Sequence, residues 1–180
     1  MHEALMVVEP FAAVIGGGID ALHVPVWIPW PVPTGWRFAG LAHCGDDLAS
    51  AECTVACWSG QDPFGDPIEA VFVCEEAGAG VGGRFAGLPT HYPTSGVGEG
   101  PPHARFGVDG RPVSLWMVEA ASDRAVYAGE AAGRWLWVVL YPAEASAIVV
   151  QPPTLVDARS LGAELAVLPL AGLSPRLLLA

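Results

Sequence analysis

Apolar and polar residues alternate with a period of two in short segments along most of the chain, and this pattern constrains the fold more than any other feature. Successive side chains of a β-strand point to opposite faces, so the alternation is typical of strands with one buried face. Gly and Pro together supply 39 residues of 180 (22 and 17), which favours many turns and short helices. The segments that we predict as strands are 36–44, 53–57, 69–75, 104–108, 111–119, 124–130, 134–142, 147–151 and 166–170.

The first and second of these segments show the alternation most clearly. One face of residues 53–57 is expected to carry Cys53, Val55 and Cys57. One face of residues 36–44 is expected to carry every second residue, namely Trp36, Phe38, Gly40, Ala42 and Cys44.

Turn residues indicate how some of the predicted strands are joined. Asp109–Gly110 is typical of a type I′ turn, in which both central residues have positive φ, so the strands beside it are predicted to form a hairpin. A second hairpin is predicted around Ala131–Gly133. One helical turn is predicted at 10–15, and Thr154 or Asp157 is expected to cap a short helix that runs to Leu165.

These elements predict an α+β fold, with a single domain that is mainly an antiparallel β-sheet with a few short helices. Residues 1–20 form an N-terminal segment whose structure the sequence determines poorly, and residues 21–180 form the domain. A long loop at 89–102 nearly bisects the chain. Each half alone has too few strands for a core, so one domain is expected.

The excess of acidic residues indicates which classes of partner the protein does not bind. Eight Arg and no Lys stand against nineteen acidic residues, for a net charge of −11, and the arginines are dispersed. Binding of nucleic acids and of anionic membranes depends on clustered cations, so neither partner is expected. The first ten residues lack the basic region of a signal peptide, which predicts a cytoplasmic protein with four cysteine thiols.

Two motifs resemble cofactor or metal sites, and neither has the required context. Gly78, Gly80 and Gly83 have the G-x-G-x-x-G spacing, but Pro89 leaves no helix of useful length behind them. Cys53 and Cys57 are spaced like zinc ligands, but on a strand they would lie about 13 Å apart. We therefore expect no cofactor and no bound metal, and small buried thiols instead.

An enzyme remains the alternative interpretation. A hydrolase would use Cys44 as a nucleophile with His43, His91 or His103 as the base, or a metal held by the acids near 46–47 and 62–66. No nucleophile-elbow signature joins these residues, so we predict no catalytic residues in the leading interpretation.

The leading interpretation of the protein's function rests on its tryptophans. The stretch VPVWIPWPVPTGW at 24–36 must be extended because each Pro fixes its own φ and restricts the residue before it, and it is expected to lie over the sheet as a lid. Incomplete packing of the aromatic layer would create a ligand pocket, and complete packing would make it ordinary core. We interpret the protein as a non-catalytic domain that binds a small ligand or a protein partner. Its candidate binding residues are Trp27, Trp30, Trp36, Trp116, Trp135 and Trp137.

The chain resembles an uncharacterised actinobacterial family that is known as a domain of unknown function. The resemblance rests on VPVWIPWPVPTGW, on VFVCEEAGAGVGGRFAGL at 71–88 and on DRAVYAGEAAGRWLWVVLYP at 123–142, and it extends over nearly everything after residue 22. It implies no known activity. It also implies a small N-terminal zinc ribbon with paired cysteines, but no C-x₂-C pair occurs here. We therefore expect either that the ribbon was lost or that Met1 lies too far downstream. A third interpretation of the protein is a fragment without the ribbon that needs a partner surface.

Overall fold

The computed structural model describes residues 4–15, 18–90, 92–93 and 95–178, which form one ten-stranded sheet. The strand order is β1-β3-β4-β5-β9-β8-β7-β6-β10-β2, and all paired neighbours are antiparallel except β6 and β10. The strands are β1 (Leu5–Val8), β2 (Trp27–Pro29), β3 (Arg37–Cys44), β4 (Cys53–Gln61), β5 (Pro67–Glu75), β6 (Ala104–Val108), β7 (Arg111–Val118), β8 (Ala125–Ala131), β9 (Arg134–Tyr141) and β10 (Leu155–Asp157). An α+β fold built on a mainly antiparallel sheet is thereby confirmed.

The helices of the described residues are short. Two are α-helices, α1 (Pro10–Ile15) and α2 (Val81–Ala86), and α1 is the helical turn that the sequence predicts. The remainder are 3₁₀ helices at Ile19–Ala21, Leu48–Ser50, Ala143–Val150, Ala158–Ser160, Gly162–Val167 and Pro175–Leu178.

Both faces of the sheet are covered, and each face has its own apolar cluster. We call the cluster under residues 19–36 and the 3₁₀ helices of 143–167 the first core, and it contains Trp58, Phe72 and Phe106. The second core lies under α2 and the C-terminal residues 171–177, and it contains Val55, Val73 and Trp137. Since both faces are buried, the central strands are apolar at nearly every position, as a strand covered on both sides must be.

The proline-rich segment closes one side of the first core. Its residues Trp27–Pro29 form β2, which pairs with β10 at one end of the sheet and also contacts β5 in the middle of it. The far end of the sheet therefore curls back over its own first face. Trp27 and Trp36 are buried in the first core, and Trp30 packs partly buried against it.

Both predicted hairpins are confirmed. Asp109 and Gly110 have φ values of 47° and 75°, as a type I′ turn requires at both central residues. Ala132 and Gly133 have φ values of 53° and 75° and join β8 to β9 in the same way.

The predicted single face of residues 36–44 is wrong. The register of β3 shifts between Phe38 and Gly40, so Trp36 and Phe38 lie in the first core whereas Ala42 and Cys44 lie in the second. Such a bulge inserts one residue and moves every following side chain to the other face. Gly40 permits it, since its φ is 129° and an added Cβ would lie 2.8 Å from Leu173 Cδ1.

Two further predictions fail toward the C-terminus. Residues 147–151 lie mostly in the 3₁₀ helix Ala143–Val150, which buries Ala145 and Ile148 at a spacing of three residues. A run of apolar residues this short does not distinguish a strand from a helix. In 166–170 only Leu170 bridges to β3, at Phe38. Asp157 is the cap that forms, accepting from Arg159 N, but the helix that it caps ends at Ser160.

Candidate ligand-binding cleft

The six candidate tryptophans divide into core and cleft residues. Trp27, Trp36 and Trp137 are at most 4% exposed, and Trp30 packs against the first core. Trp116 and Trp135 are partly buried and line one cleft of about 500 Å³ on the side of the sheet that carries the second core. The structure therefore brings two of the six together at an open recess.

Strand register explains why these two indoles share a recess. Trp116 lies opposite Ala128 in β8, and Ala128 in turn lies opposite Trp137 in β9. Directly opposed residues of antiparallel strands point to the same face, and so do residues two apart on one strand. Trp116, Trp135 and Trp137 consequently all project to the face of the second core.

Both cleft indoles are held in place by neighbouring groups. Trp116 Nε1 donates a hydrogen bond of 3.1 Å to the carbonyl oxygen of Gly100. The ring of Trp135 packs against that of Trp137, with centroids 5.7 Å apart and planes inclined by 31°. A ligand that enters the cleft would meet two aromatic walls that are already ordered, which lowers the entropic cost of binding.

Three glycines contribute backbone to the lining of the cleft. Gly129 of β8 lines the cleft and is buried, and Gly98 and Gly133 line its rim. An added Cβ at Gly129 would lie 2.3 Å from the carbonyl oxygen of Ser114, so only glycine fits there. The close approach of β7 to β8 therefore depends on Gly129.

One carboxylate of the cleft is uncompensated. Glu130 lies directly opposite Trp135 and lines the cleft. The guanidinium of Arg134 also lines it, but Arg134 Nε binds Glu76 Oε1 at 2.6 Å, and His23 lies 3.9 Å from the same oxygen. Within the described ranges Glu130 has no ion-pair partner. Glu130 was not among the residues predicted from the sequence, although its place opposite Trp135 follows from the predicted hairpin.

Neither His43 nor His103 is placed to act as a base for Cys44, the nucleophile of the alternative interpretation. His43 and Cys44 are consecutive in β3 and therefore point to opposite faces of the sheet. His103 is exposed, and its Nδ1 accepts a hydrogen bond of 3.0 Å from Met117 N. His91 lies outside the described residues.

The environment of the thiols also disfavours thiolate formation. Cys44 lies opposite Cys53, and both are buried. The contact with Cys44 and burial raise the pKa of Cys53, and burial raises the pKa of Cys74 to about 12. Burial also lowers the pKa of His43, against the opposing effect of Asp47.

One side chain in each of the acidic regions at 46–47 and 62–66 caps a local turn. Asp62 Oδ1 accepts from Phe64 N and Asp66 N at 2.8 and 3.0 Å, and Asp47 Oδ1 accepts from Ser50 N at 2.8 Å. Over the described part of the chain, no three His, Cys, Asp or Glu side chains are grouped as metal ligands would be.

The glycine-rich motif after β5 has an internal anion at its helix. Glu75 is fully buried, and its Oε2 accepts from Val81 N at 2.6 Å and from Gly82 N at 3.2 Å, at the start of α2. Burial raises the pKa of Glu75, and the two backbone N–H groups oppose that rise. The place that a phosphate takes in a dinucleotide fold is thus occupied by a carboxylate of the chain itself.

A second cleft, of about 650 Å³, lies at the opposite ends of β5 and β9. Glu69 and Tyr141 are opposite each other there, and Arg176 Nε binds Glu69 Oε2 at 2.7 Å while its guanidinium lies 3.9 Å from the Tyr141 ring centroid. Arg124 contacts the same ring and pairs with Asp123. Sequence reasoning missed this group because Arg176 comes from the far end of the chain.

The fold and the cleft define a small acidic β-sheet domain with an aromatic recess on one face. The chain belongs to the family of unknown function DUF6758, whose family model matches residues 4–177. Comparison with curated proteins and with solved structures gives no match. None of the helices in the described residues is long and apolar enough to cross a membrane.

Proposed function

We propose that the protein binds a small organic ligand in the cleft between Trp116 and Trp135 and does not transform it. The observation that carries this proposal is the pair of fixed indoles on either side of a space of about 500 Å³, which lies within the range of small-molecule sites. The cellular compartment that we propose is the cytoplasm, supported by four buried cysteines that are not joined in disulfide bonds.

The cleft favours binding over catalysis for a chemical reason. Among the residues that the structure describes, its titratable side chains are Glu130 and Arg134, and the guanidinium of Arg134 already holds Glu76. General acid–base or nucleophilic catalysis needs a second group that can accept or donate a proton beside the first. Aromatic walls with one or two polar groups are instead sufficient to select and orient a ligand.

The proposal is tested by NMR of the tryptophan indole N–H signals. We expect choline or benzyl alcohol, used as probes at millimolar concentration, to shift the signals of Trp116 and Trp135 and to leave the signal of Trp30 in place. Trp30 is the matched control because it is partly buried against the first core, on the other side of the sheet. Conservative Trp→Phe variants at the three positions assign the signals.

Substitution then connects the shifts to binding. Trp116→Ala and Trp135→Ala should each abolish saturation of the probe, and Trp30→Ala should not. Circular dichroism of each variant separates a lost site from a lost fold, and the Phe variants serve wherever an Ala variant does not fold. Equal shifts at all three indoles, or no shift with either probe, would refute a ligand site in this cleft.

A further inference from the structure

We propose that the ligand of the Trp116–Trp135 cleft is a small organic cation with a methylated ammonium group. This assignment rests on the proposed function and adds the chemical class of the ligand. It follows from the position of Glu130 relative to the two indoles.

The register of β7, β8 and β9 places an exposed carboxylate on the same face of the sheet as the two indoles. Glu130 of β8 lies directly opposite Trp135 of β9. Ala128, two residues before Glu130, is on the same face of β8 and lies opposite Trp116 of β7. All three side chains line one cleft. Aromatic faces arranged around a carboxylate attract methylated ammonium groups, because the ring quadrupole and the negative charge both favour a cation that is weakly hydrated.

Arg134, the cation that the described residues place at the cleft, does not cancel this preference. Arg134 Nε is bonded to Glu76 Oε1 at 2.6 Å, and Arg134 Nη1 lies 3.5 Å from the carbonyl oxygen of Ala132. The charge of Arg134 is balanced by that of Glu76, so the negative charge of Glu130 remains at the cleft. The chain as a whole has a net charge of −11, which further disfavours an anionic ligand and raises the local concentration of cations.

A neutral apolar ligand fits less well than a cation of the same shape. It would fill the space between the indoles equally, but it would also displace water from the Glu130 carboxylate without replacing the lost interaction. A cation replaces that interaction with an ion pair. The volume of the cleft, about 500 Å³, favours a free small molecule over a segment of a folded partner.

The test compares two probes of nearly identical shape that differ in charge. Choline carries a trimethylammonium group, and 3,3-dimethylbutan-1-ol replaces its nitrogen with carbon. Titrations followed at the Trp116 and Trp135 indole signals should give a dissociation constant for choline that is lower by about tenfold. If the neutral alcohol binds as tightly as choline or more tightly, the assignment to a cation is wrong although the cleft still binds ligands. If neither probe binds but benzyl alcohol does, the assignment to a cation is wrong and the ligand site stands. If benzyl alcohol also fails to bind, the proposed function fails as well.

A charge variant isolates the contribution of Glu130. Glu130→Gln should weaken choline binding about fivefold and leave binding of the neutral alcohol unchanged. Glu144→Gln is the matched control, because Glu144 is exposed in the helix Ala143–Val150, away from the cleft, and the change in net charge is the same. An equal loss in both variants would show a diffuse charge effect and overturn the role of Glu130. A trimethyllysine peptide that binds more than about tenfold tighter than choline would overturn the assignment to a free small molecule.

Discussion

Gly82→Ala sets two physical effects against each other at the start of α2. Alanine stabilises a helix interior by about 1 kcal/mol relative to glycine, so helix propensity alone predicts a more stable protein. In the structure, an added Cβ at Gly82 would lie 2.2 Å from Trp137 Cδ1 and 2.3 Å from Cγ and Cδ2. Carbon atoms in contact lie about 3.5–4.0 Å apart, so the helix or the indole must move by more than an ångström.

Neither movement is cheap. Trp137 is fully buried in the second core, where overpacking costs about 1–3 kcal/mol. Movement of α2 away from the sheet also takes the N–H groups of Val81 and Gly82 from the buried Glu75 carboxylate, which adds about 1–3 kcal/mol. After the helix-propensity gain is subtracted, we expect Gly82→Ala to lower the free energy of unfolding by about 1–5 kcal/mol.

Urea denaturation followed by tryptophan fluorescence and circular dichroism measures this change. Gly172→Ala is the matched control, because an added Cβ there meets nothing within 4 Å, and we expect a change within about 0.5 kcal/mol. If Gly82→Ala is neutral or stabilising, helix propensity outweighs the contact with Trp137, and the packing argument for α2 is refuted.

Three further outcomes follow from buried charge and contact. Burial raises the pKa of Glu75 above its ordinary value of 4.5, so this group stabilises the fold below that pH and the contribution is lost as pH rises through the raised pKa. In urea titrations, Glu75→Gln should therefore gain stability relative to the parent as pH rises above 4.5, and a difference independent of pH would contradict this. Ellman's reagent should modify the four buried thiols only after denaturation, and prompt reaction of any one would show that it is accessible. Arg176→Ala should lower the free energy of unfolding by no more than about 1.5 kcal/mol, because the side chain is one-third exposed. Arg105→Ala, at an exposed position, is the control and should lower it less. Equal losses in both variants would show that the contacts of Arg176 with Glu69 and Tyr141 do not contribute to stability.

Local pattern predicted the central strands and hairpins because the information for them is local. The face that carries Cys53, Val55 and Cys57 was correct, and so was the turn at Asp109–Gly110. The bulge after Phe38 was not predictable from alternation, since a glycine tolerates a bulge without requiring one. The 3₁₀ helix Ala143–Val150 was missed because its apolar run is compatible with either element.

The candidate site was predictable only in part, for a related reason. Alternation places Trp135 and Trp137 on one face, and the structure agrees. Which of the two is open to a ligand depends on α2, because Gly82 packs directly against Trp137. That contact joins residues 55 positions apart, and no periodicity within either segment encodes it. The same holds for Arg176, which reaches Tyr141 from the C-terminal helix Pro175–Leu178.

The pairing of β5 with β9 has a consequence for synthesis of the chain. Glu75 and Trp135 are partners in the middle of the sheet, so the ribosome must add some sixty residues after β5 before its neighbour exists. During that interval the nascent chain presents an unpaired apolar strand edge, the kind of surface on which chains aggregate. Yield in a heterologous host should thus depend on how fast translation passes residues 76–141, and on whether a chaperone shields β5 until then.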